Sequence, residues 1–162
     1  MDLMSKERGA LELTLLNAEY DRDNFETVLV EGLSRGIPAE IMTRLKDIWA
    51  ITRTIAGEVV AVGKIIVSQI FAFLRAHPFI TVGIALGAAI TSLCTTVPLF
   101  GTLLAPLVSK LTIPYFAGAG AAYESTGNLV SDPLIAAQAF AYKFFELLRN
   151  VFVAVTQYLK PA

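Results

Sequence analysis

The feature that most constrains the fold of this chain is a stretch of 34 residues, positions 76–109, without any Asp, Glu, Lys or Arg. About 20 apolar residues span the hydrocarbon core of a bilayer, and 18 or more without charge indicate a membrane helix. A helix of that whole stretch would extend about 50 Å, too long for one upright crossing and too short for two. The stretch therefore predicts membrane insertion with an irregular geometry.

The composition supports this prediction. Apolar residues make up 55% of the chain and charged residues 17%, whereas soluble domains average about 45–50% and about 25%. The net charge is −1, which argues against nucleic-acid binding, because nucleic-acid-binding proteins carry a basic patch or stripe. The single cysteine excludes an intramolecular disulfide.

Changes in polarity along the chain divide it into four segments. Residues 1–36 are polar, with short helices, and residues 37–75 are expected to form one long amphipathic helix. Residues 76–123 follow as a transmembrane hairpin, and residues 124–162 as an apolar amphipathic C-terminal helix. The predicted fold class is therefore all-α, an integral membrane helical hairpin with an amphipathic helix on either side.

The long helix is predicted from a heptad-like pattern in the second segment. Apolar positions alternate in steps of four and three over more than three repeats, which is typical of a coiled-coil seam. No charge occurs between Lys64 and Arg75, so the helix is expected to begin in water and to end in apolar surroundings. The positions of the seam are Ile41, Leu45, Ile48, Thr52, Ile55, Val59, Val62 and Ile66.

Prolines define the predicted hairpin. Pro78 should end the long helix, because proline lacks an N–H and restricts the residue before it. Pro98 divides the charge-free stretch into a regular span, residues 79–97, and a broken or re-entrant limb, residues 99–123. One long tilted span that ends near Leu104 is the alternative.

The C-terminal helix is predicted to begin at Asp132 and Pro133, an N-cap followed by proline at the first helical position. It should run to about Leu159, with a broad apolar face and a narrow polar stripe, as in helices that lie in a membrane interface. A third span is the alternative. Charged residues near its middle, such as Arg149, would each cost about 2.5–3.5 kcal/mol at a bilayer centre.

Small residues predict where helices pack. Gly83, Gly87, Thr91 and Thr95 recur every four residues, and membrane helices associate closely along such ridges. A second small-residue patch contains Gly118 and Gly120, which could pack against the ridge. Whether this packing joins subunits or lies within one chain stays open.

Lys110 lies within the apolar region and is a possible lipid or pore contact, because ionisable groups at membrane depth are often functional. The alternative is a lysine that reaches the lipid headgroups from the end of a short limb. His77 is the only histidine and Cys94 lies among apolar residues, which keeps a thiol inert. Neither these residues nor any recognised motif indicates catalysis, a cofactor or a metal site, so we expect no enzyme.

One short run, Arg75–Ile84 (RAHPFITVGI), resembles a known membrane anchor. In a family of small ribosome-associated bacterial inner-membrane proteins, a basic residue, a proline-aromatic pair and Val-Gly-Ile open a glycine-rich C-terminal span. The resemblance covers about ten of the 162 residues. It implies an anchor that begins near Phe79 and implies no ribosome binding for this chain.

The sequence thus predicts a non-enzymatic α-helical membrane protein that self-assembles, or that serves as a scaffold or accessory subunit of a larger membrane complex. Its expected partners are the lipid bilayer and further copies of itself or subunits of that complex. Two crossings would place both termini on one side, in the cytoplasm if the membrane is a bacterial inner membrane; an organellar membrane is also compatible. Two alternatives stay open: an oligomeric pore-forming or channel protein, and a soluble helical bundle with a buried hairpin.

Overall fold

Helices dominate the computed structural model of the protein, which describes residues 4–105 and 128–161. Most of their apolar faces meet in one shared core. The described elements are α1 (Lys6–Glu19), α2 (Phe25–Ser34), α3 (Ala39–Trp49), β1 (Arg53–Ile55), β2 (Glu58–Val60), α4 (Val62–Ala76), α5 (Val82–Thr96), α6 (Pro98–Leu103), α7 (Asn128–Phe144), α8 (Glu146–Val155), a 3₁₀ turn (Thr156–Tyr158) and β3 (Lys160–Pro161).

The first two helices begin at side-chain caps. The Ser5 hydroxyl accepts a hydrogen bond from the Arg8 amide at 3.1 Å at the start of α1, and the Asn24 side chain accepts one from the Thr27 amide at 3.0 Å at the start of α2. Such caps satisfy amide groups that have no partner in the first turn of a helix. Polar residues thus set where α1 and α2 begin.

A β-hairpin interrupts the predicted long helix. Ala56 (φ +52°) and Gly57 (φ +80°) both have positive φ, and the hairpin pairs Ile55 with Glu58. A two-residue loop with positive φ at both positions joins antiparallel strands with little splay. Strand β3 pairs with β1 on its other side, so the sheet order is β2-β1-β3. The all-α class and the single helix over residues 37–75 are therefore wrong.

The predicted helical seam exists only at its two ends, although Ile55 between them is also buried. Ile41, Leu45 and Ile48 of α3 are buried, as are Val62 and Ile66 of α4. Between them the chain forms the hairpin, and Val59 on β2 is 61% exposed. The heptad-like spacing arises because α3 and α4 are both amphipathic. The hairpin between them has a length that continues the apolar spacing of one helix into the next. α3 and α4 pack against each other in the core rather than along one continuous helix.

Pro78 and Pro98 lie just outside the two ends of helix α5 and limit its length. The chain leaves α4 after Ala76, passes Pro78 and begins α5 at Val82, and α6 begins anew at Pro98. α5 has 15 residues, which correspond to about 22 Å of helix. Within the described residues it packs most extensively against α7, and it also contacts α4. Its apolar side chains are therefore part of the protein core.

No helix in residues 4–105 and 128–161 is both long enough and apolar enough to cross a membrane. This finding contradicts the predicted transmembrane hairpin and the integral-membrane location inferred from it. A run without charge was interpreted as a span, whereas residues such as Leu86, Ile90 and Leu93 are buried against other helices. Residues 106–123 of the predicted second limb lie outside the described part.

The C-terminal helix is divided as well. α7 begins at Asn128, four residues before Asp132, and ends at Phe144, and α8 follows from Glu146 to Val155. The apolar face of α8, with Val151, Phe152 and Val155 buried, packs mainly against α1. Its predicted position in a membrane interface is therefore corrected: α1 covers that face.

The contact between α1 and α8 depends on a glycine. A side-chain carbon at Gly9 would lie 2.9 Å from both Ala154 Cβ and Val155 Cγ1. Arg149 of α8 is 9% exposed, and its guanidinium donates to the Tyr142 carbonyl oxygen at 2.9 Å and stacks on the Tyr142 ring at 3.8 Å. The buried charge is thereby satisfied at the bend between α7 and α8.

Candidate association surface

The predicted small-residue ridge lies on one helix, α5. Gly87 is buried and Gly83 half-buried, whereas Thr91 and Thr95 are exposed. The Thr95 hydroxyl donates to the Thr91 carbonyl oxygen of its own helix at 2.9 Å. The second patch, Gly118 and Gly120, and the possible lipid or pore contact Lys110 lie outside the described residues.

An aromatic cluster surrounds the only histidine. The His77 ring lies 4.4 Å from Phe73, 5.8 Å from Phe79, 5.4 Å from Phe140 and 6.1 Å from Phe144, measured between ring centroids. These rings come from α4, from the loop after it and from α7. The His77 Nδ1 atom lies 3.1 Å from the Phe73 carbonyl oxygen, within hydrogen-bond distance. The cluster joins the end of α4 to α7.

Two rings of this cluster remain open to solvent. Phe79 is 71% exposed and Phe140 is 43% exposed, and the two meet edge to face at 6.1 Å. Their contact with each other covers part of each ring, but their outer faces are still available to a partner. Aromatic side chains in such positions are enriched at protein interfaces.

A groove of about 970 Å³ lies between α1 and the α7–α8 bend. We call it the α1/α8 groove. Phe144 lines it and also belongs to the aromatic cluster, so the two features are continuous. Leu147 and Val153, each about half exposed, supply apolar walls. The other lining residues are Met4, Ser5, Arg8, Lys143, Glu146, Asn150, Ala154 and Gln157.

The outer face of α1 extends the groove. Arg8 lines the groove, and Leu11 and Leu15 follow it at helical spacing on the same side of α1. Leu11 is 59% exposed and Leu15 is 55% exposed. Two leucines four residues apart on a surface helix form an apolar strip, which typically marks an interaction site when it adjoins a larger apolar patch.

The groove also carries charge. Arg8 and Lys143 stand against one acidic lining residue, Glu146. On α1, Glu7 and Glu12 flank Leu11. Glu7 and Glu12 thus lie beside the leucine strip, Arg8 lies where the strip meets the groove, and the groove lining has one more basic than acidic side chain. A partner could therefore make apolar contacts with the leucines and the groove, and place charged side chains of opposite sign at the rim of the interface.

The part of the chain that the structure describes holds no group of three or more His, Cys, Asp or Glu residues placed to bind a metal ion. Burial raises the pKa of the Cys94 thiol, whose sulfur lies 3.8 Å from the Phe100 carbonyl oxygen. A raised pKa keeps the thiol protonated and therefore slow as a nucleophile.

Sequence reasoning did not find this surface. Leu11 and Leu15 lie in the segment interpreted as polar, and Phe79 was interpreted as the start of a span. The residues of the surface come from distant parts of the chain, so only the fold brings them together. A weak signal existed: leucines at positions 11 and 15 match the spacing of Met4 and Arg8 on one helical stripe.

Arg75 opens the run that resembles a membrane anchor, and its Nη1 atom donates to Glu31 Oε1 of α2 at 2.7 Å. The residues from Val82 onward are helical.

Comparison of the whole chain with protein-family models, with curated proteins and with solved structures finds no match.

Proposed function

We propose that the protein is a non-enzymatic helical protein that assembles with a second copy of itself through the α1/α8 groove. The observation that carries this proposal is the exposure of Leu11 (59%) and Leu15 (55%) beside a groove with apolar walls. In the dimer, the leucine strip of each copy lies in the groove of the other. The association is symmetric, because strip and groove belong to one continuous surface.

The energetics allow such a dimer. Complete burial of a fully exposed leucine side chain contributes about 1.5–3 kcal/mol, and Leu11 and Leu15 are just over half exposed, so four leucines contribute about 3–7 kcal/mol before the cost of association. Leu147 and Val153 of each groove add to this contribution. The loss of translational and rotational freedom on association costs free energy, which offsets much of the contribution from apolar burial. We therefore expect a dissociation constant in the micromolar range, about 1–100 μM.

Charge favours a second copy over an unrelated partner. Glu7 and Glu12 of one α1 would face Lys143 and Arg8 of the other copy's groove. Opposite charges at the rim of an interface speed association and set its register more than they increase affinity. The chain itself thus carries both halves of a complementary surface.

The membrane part of the sequence-based prediction is not included in this proposal. The roles as an accessory subunit of a complex and as a pore-former stay predictions from the sequence.

Sedimentation velocity of the full chain between 1 and 200 μM tests the proposal. The wild-type protein should change from monomer to dimer over this range. The dissociation constant of the double variant Leu11→Ser with Leu15→Ser should be at least tenfold larger, so its change from monomer to dimer should move to at least tenfold higher concentrations. Circular dichroism of the variant should be unchanged, because both side chains are exposed.

The matched control is Val30→Ser. Val30 is 69% exposed on α2 and does not line the groove, so the variant should dimerise like the wild type. A wild-type chain that stays monomeric at 200 μM would contradict the proposal. A double variant that dimerises as strongly as Val30→Ser would place the interface elsewhere.

A further inference from the structure

The wall of the α1/α8 groove that α7 contributes follows one helical face. Lys143 and Phe144 line the groove, and residues spaced three and four apart lie on the same side of a helix. Phe140 precedes them on α7 by this spacing, three residues before Lys143 and four before Phe144. The groove wall therefore continues by one helical turn, to Phe140.

Phe79 lies at the end of this face. Its ring meets Phe140 edge to face, with 6.1 Å between the ring centroids, and lies 5.8 Å from the His77 ring. His77 also contacts Phe140 and Phe144, at 5.4 and 6.1 Å. The loop after α4 thus packs against α7 through ring contacts and presents Phe79 beside the groove wall. We call Phe79 and Phe140 the aromatic pair.

The aromatic pair is as exposed as the leucine strip. Phe79 is 71% exposed and Phe140 is 43% exposed, whereas Leu11 is 59% and Leu15 is 55% exposed. Because a phenylalanine side chain is larger than a leucine side chain, the pair presents at least as much apolar area to water as the strip does. Exposed apolar patches that adjoin one another typically mark an interaction site.

A micromolar dimer needs more apolar burial than the leucine strip supplies. Association loses translational and rotational freedom, and the cost of this loss is comparable to what the burial of half-exposed leucines contributes. A micromolar dimer must retain a further favourable free energy after that cost. Additional apolar surface therefore has to leave water at the same interface, and the aromatic pair adjoins the groove and offers such surface.

We infer that the aromatic pair is the end of the self-association interface and is buried against the second copy in the dimer. This inference rests on the proposed association through the α1/α8 groove. A second copy that lies along the groove wall reaches Phe140 one helical turn beyond Phe144, and Phe79 beside it. Aromatic side chains carry a large share of the binding energy in protein interfaces. Because the association is symmetric, each copy contributes its own aromatic pair.

Sedimentation velocity of Phe79→Ser between 1 and 200 μM tests this inference. Each dimer loses two phenylalanine rings, so the dissociation constant should increase at least tenfold. Val30→Ser is the matched control, because Val30 is 69% exposed and does not line the groove. It should dimerise like the wild type. Equal dissociation constants for the two variants overturn the inference, while the wild-type dimer and the proposed function stand.

Phe79→Trp tests the burial directly and keeps an aromatic side chain at this position. Trp49 is the only tryptophan of the wild-type chain, so the wild type supplies the background signal. Acrylamide should quench the added fluorescence at least threefold less at 200 μM than at 1 μM, because a buried indole is shielded from the quencher. Unchanged quenching over concentrations at which the same chain dimerises overturns the inference.

The leucine double variant shows whether the aromatic pair and the leucine strip belong to one interface. In Phe79→Trp combined with Leu11→Ser and Leu15→Ser, shielding of the indole should need at least tenfold higher protein concentrations. Shielding at the same concentrations as with the intact strip overturns the inference, because a different interface would then cover the aromatic pair. A wild-type chain that stays monomeric at 200 μM overturns the proposed function, and the inference with it.

Discussion

The carbonyl oxygen of Ile48 occupies the space that a side-chain carbon at Gly63 would need. The Gly63 amide also donates to the Ile51 carbonyl oxygen at 2.9 Å. The first turn of α4 thus lies directly against the end of α3, although a β-hairpin separates the two helices in the chain. Glycine at position 63 permits this approach, and the backbone atoms that it meets have no room to withdraw.

Gly63→Ala should therefore destabilise the protein by at least about 3 kcal/mol, because the added methyl group collides with backbone rather than with a flexible side chain. Urea unfolding followed by circular dichroism measures the change. Gly101→Ala is the control. A side-chain carbon at Gly101 meets only the Cys94 carbonyl oxygen, at 3.9 Å, so this variant should be neutral or slightly more stable. Equal effects of the two substitutions would contradict the close packing of α3 and α4.

Ala56 is strained in the hairpin loop, because its φ of +52° belongs to a region that residues with a side chain rarely adopt. Ala56→Gly should stabilise the protein by about 0.5–1 kcal/mol through relief of this strain. Ala18→Gly on the exposed face of α1 provides a control of opposite sign, with an expected loss of about 1 kcal/mol. Thermal unfolding of both variants measures the difference, and a loss of stability in Ala56→Gly would argue against the positive φ.

The helical parts of the chain are readable from local sequence. Pro78 and Pro98 bracket α5, and the apolar spacing of Ile41, Leu45 and Ile48 marks the buried face of α3. The hairpin was missed because its apolar residues continue the spacing of the helices on either side. Its Ala-Gly loop is also a weaker turn signal than Asn-Gly or Asp-Gly.

The membrane prediction failed for a different physical reason. An uncharged stretch is removed from water both in a bilayer and in a protein core. Hydropathy therefore does not distinguish a membrane span from a buried helix. The distinction depends on what packs against the stretch, here α4 and α7 on α5. The association surface depends on the same long-range packing, since Arg8 of α1 and Leu147 of α8 line one groove only after the two helices meet.

Glu31 of α2 pairs with Arg35 at the end of its own helix and with Arg75 of α4, and the second pair joins the two helices. Its carboxylate oxygens accept from Arg35 and Arg75, at 3.0 and 2.7 Å. Glu31→Gln should cost about 1 kcal/mol at low salt, and less in 1 M salt because the pairs are partly exposed. Asp47→Asn on α3 is the control, with an expected change near zero because Asp47 pairs only weakly with exposed Arg44. Chemical unfolding at two salt concentrations measures both, and a change in Glu31→Gln that does not depend on salt would exclude an electrostatic origin.

Two half-buried groups, Cys94 and Tyr20, predict loss of stability in alkali. Burial raises the pKa of Cys94, and burial followed by the charges of Glu19 and Asp23 raises the pKa of Tyr20. In the unfolded chain these groups lose their protons near their ordinary pKa values, about 8.5 and 10. The unfolded state then binds fewer protons than the folded state, so the free energy of unfolding decreases as pH rises. The stability is complete below about pH 8 and should decrease first through Cys94 and then through Tyr20.

Cys94→Ala should remove the decrease that begins near pH 8.5, and Tyr20→Phe the one near pH 10, in urea unfolding measured from pH 7 to 11. A wild-type profile that stays flat to pH 11 would contradict the burial of both groups.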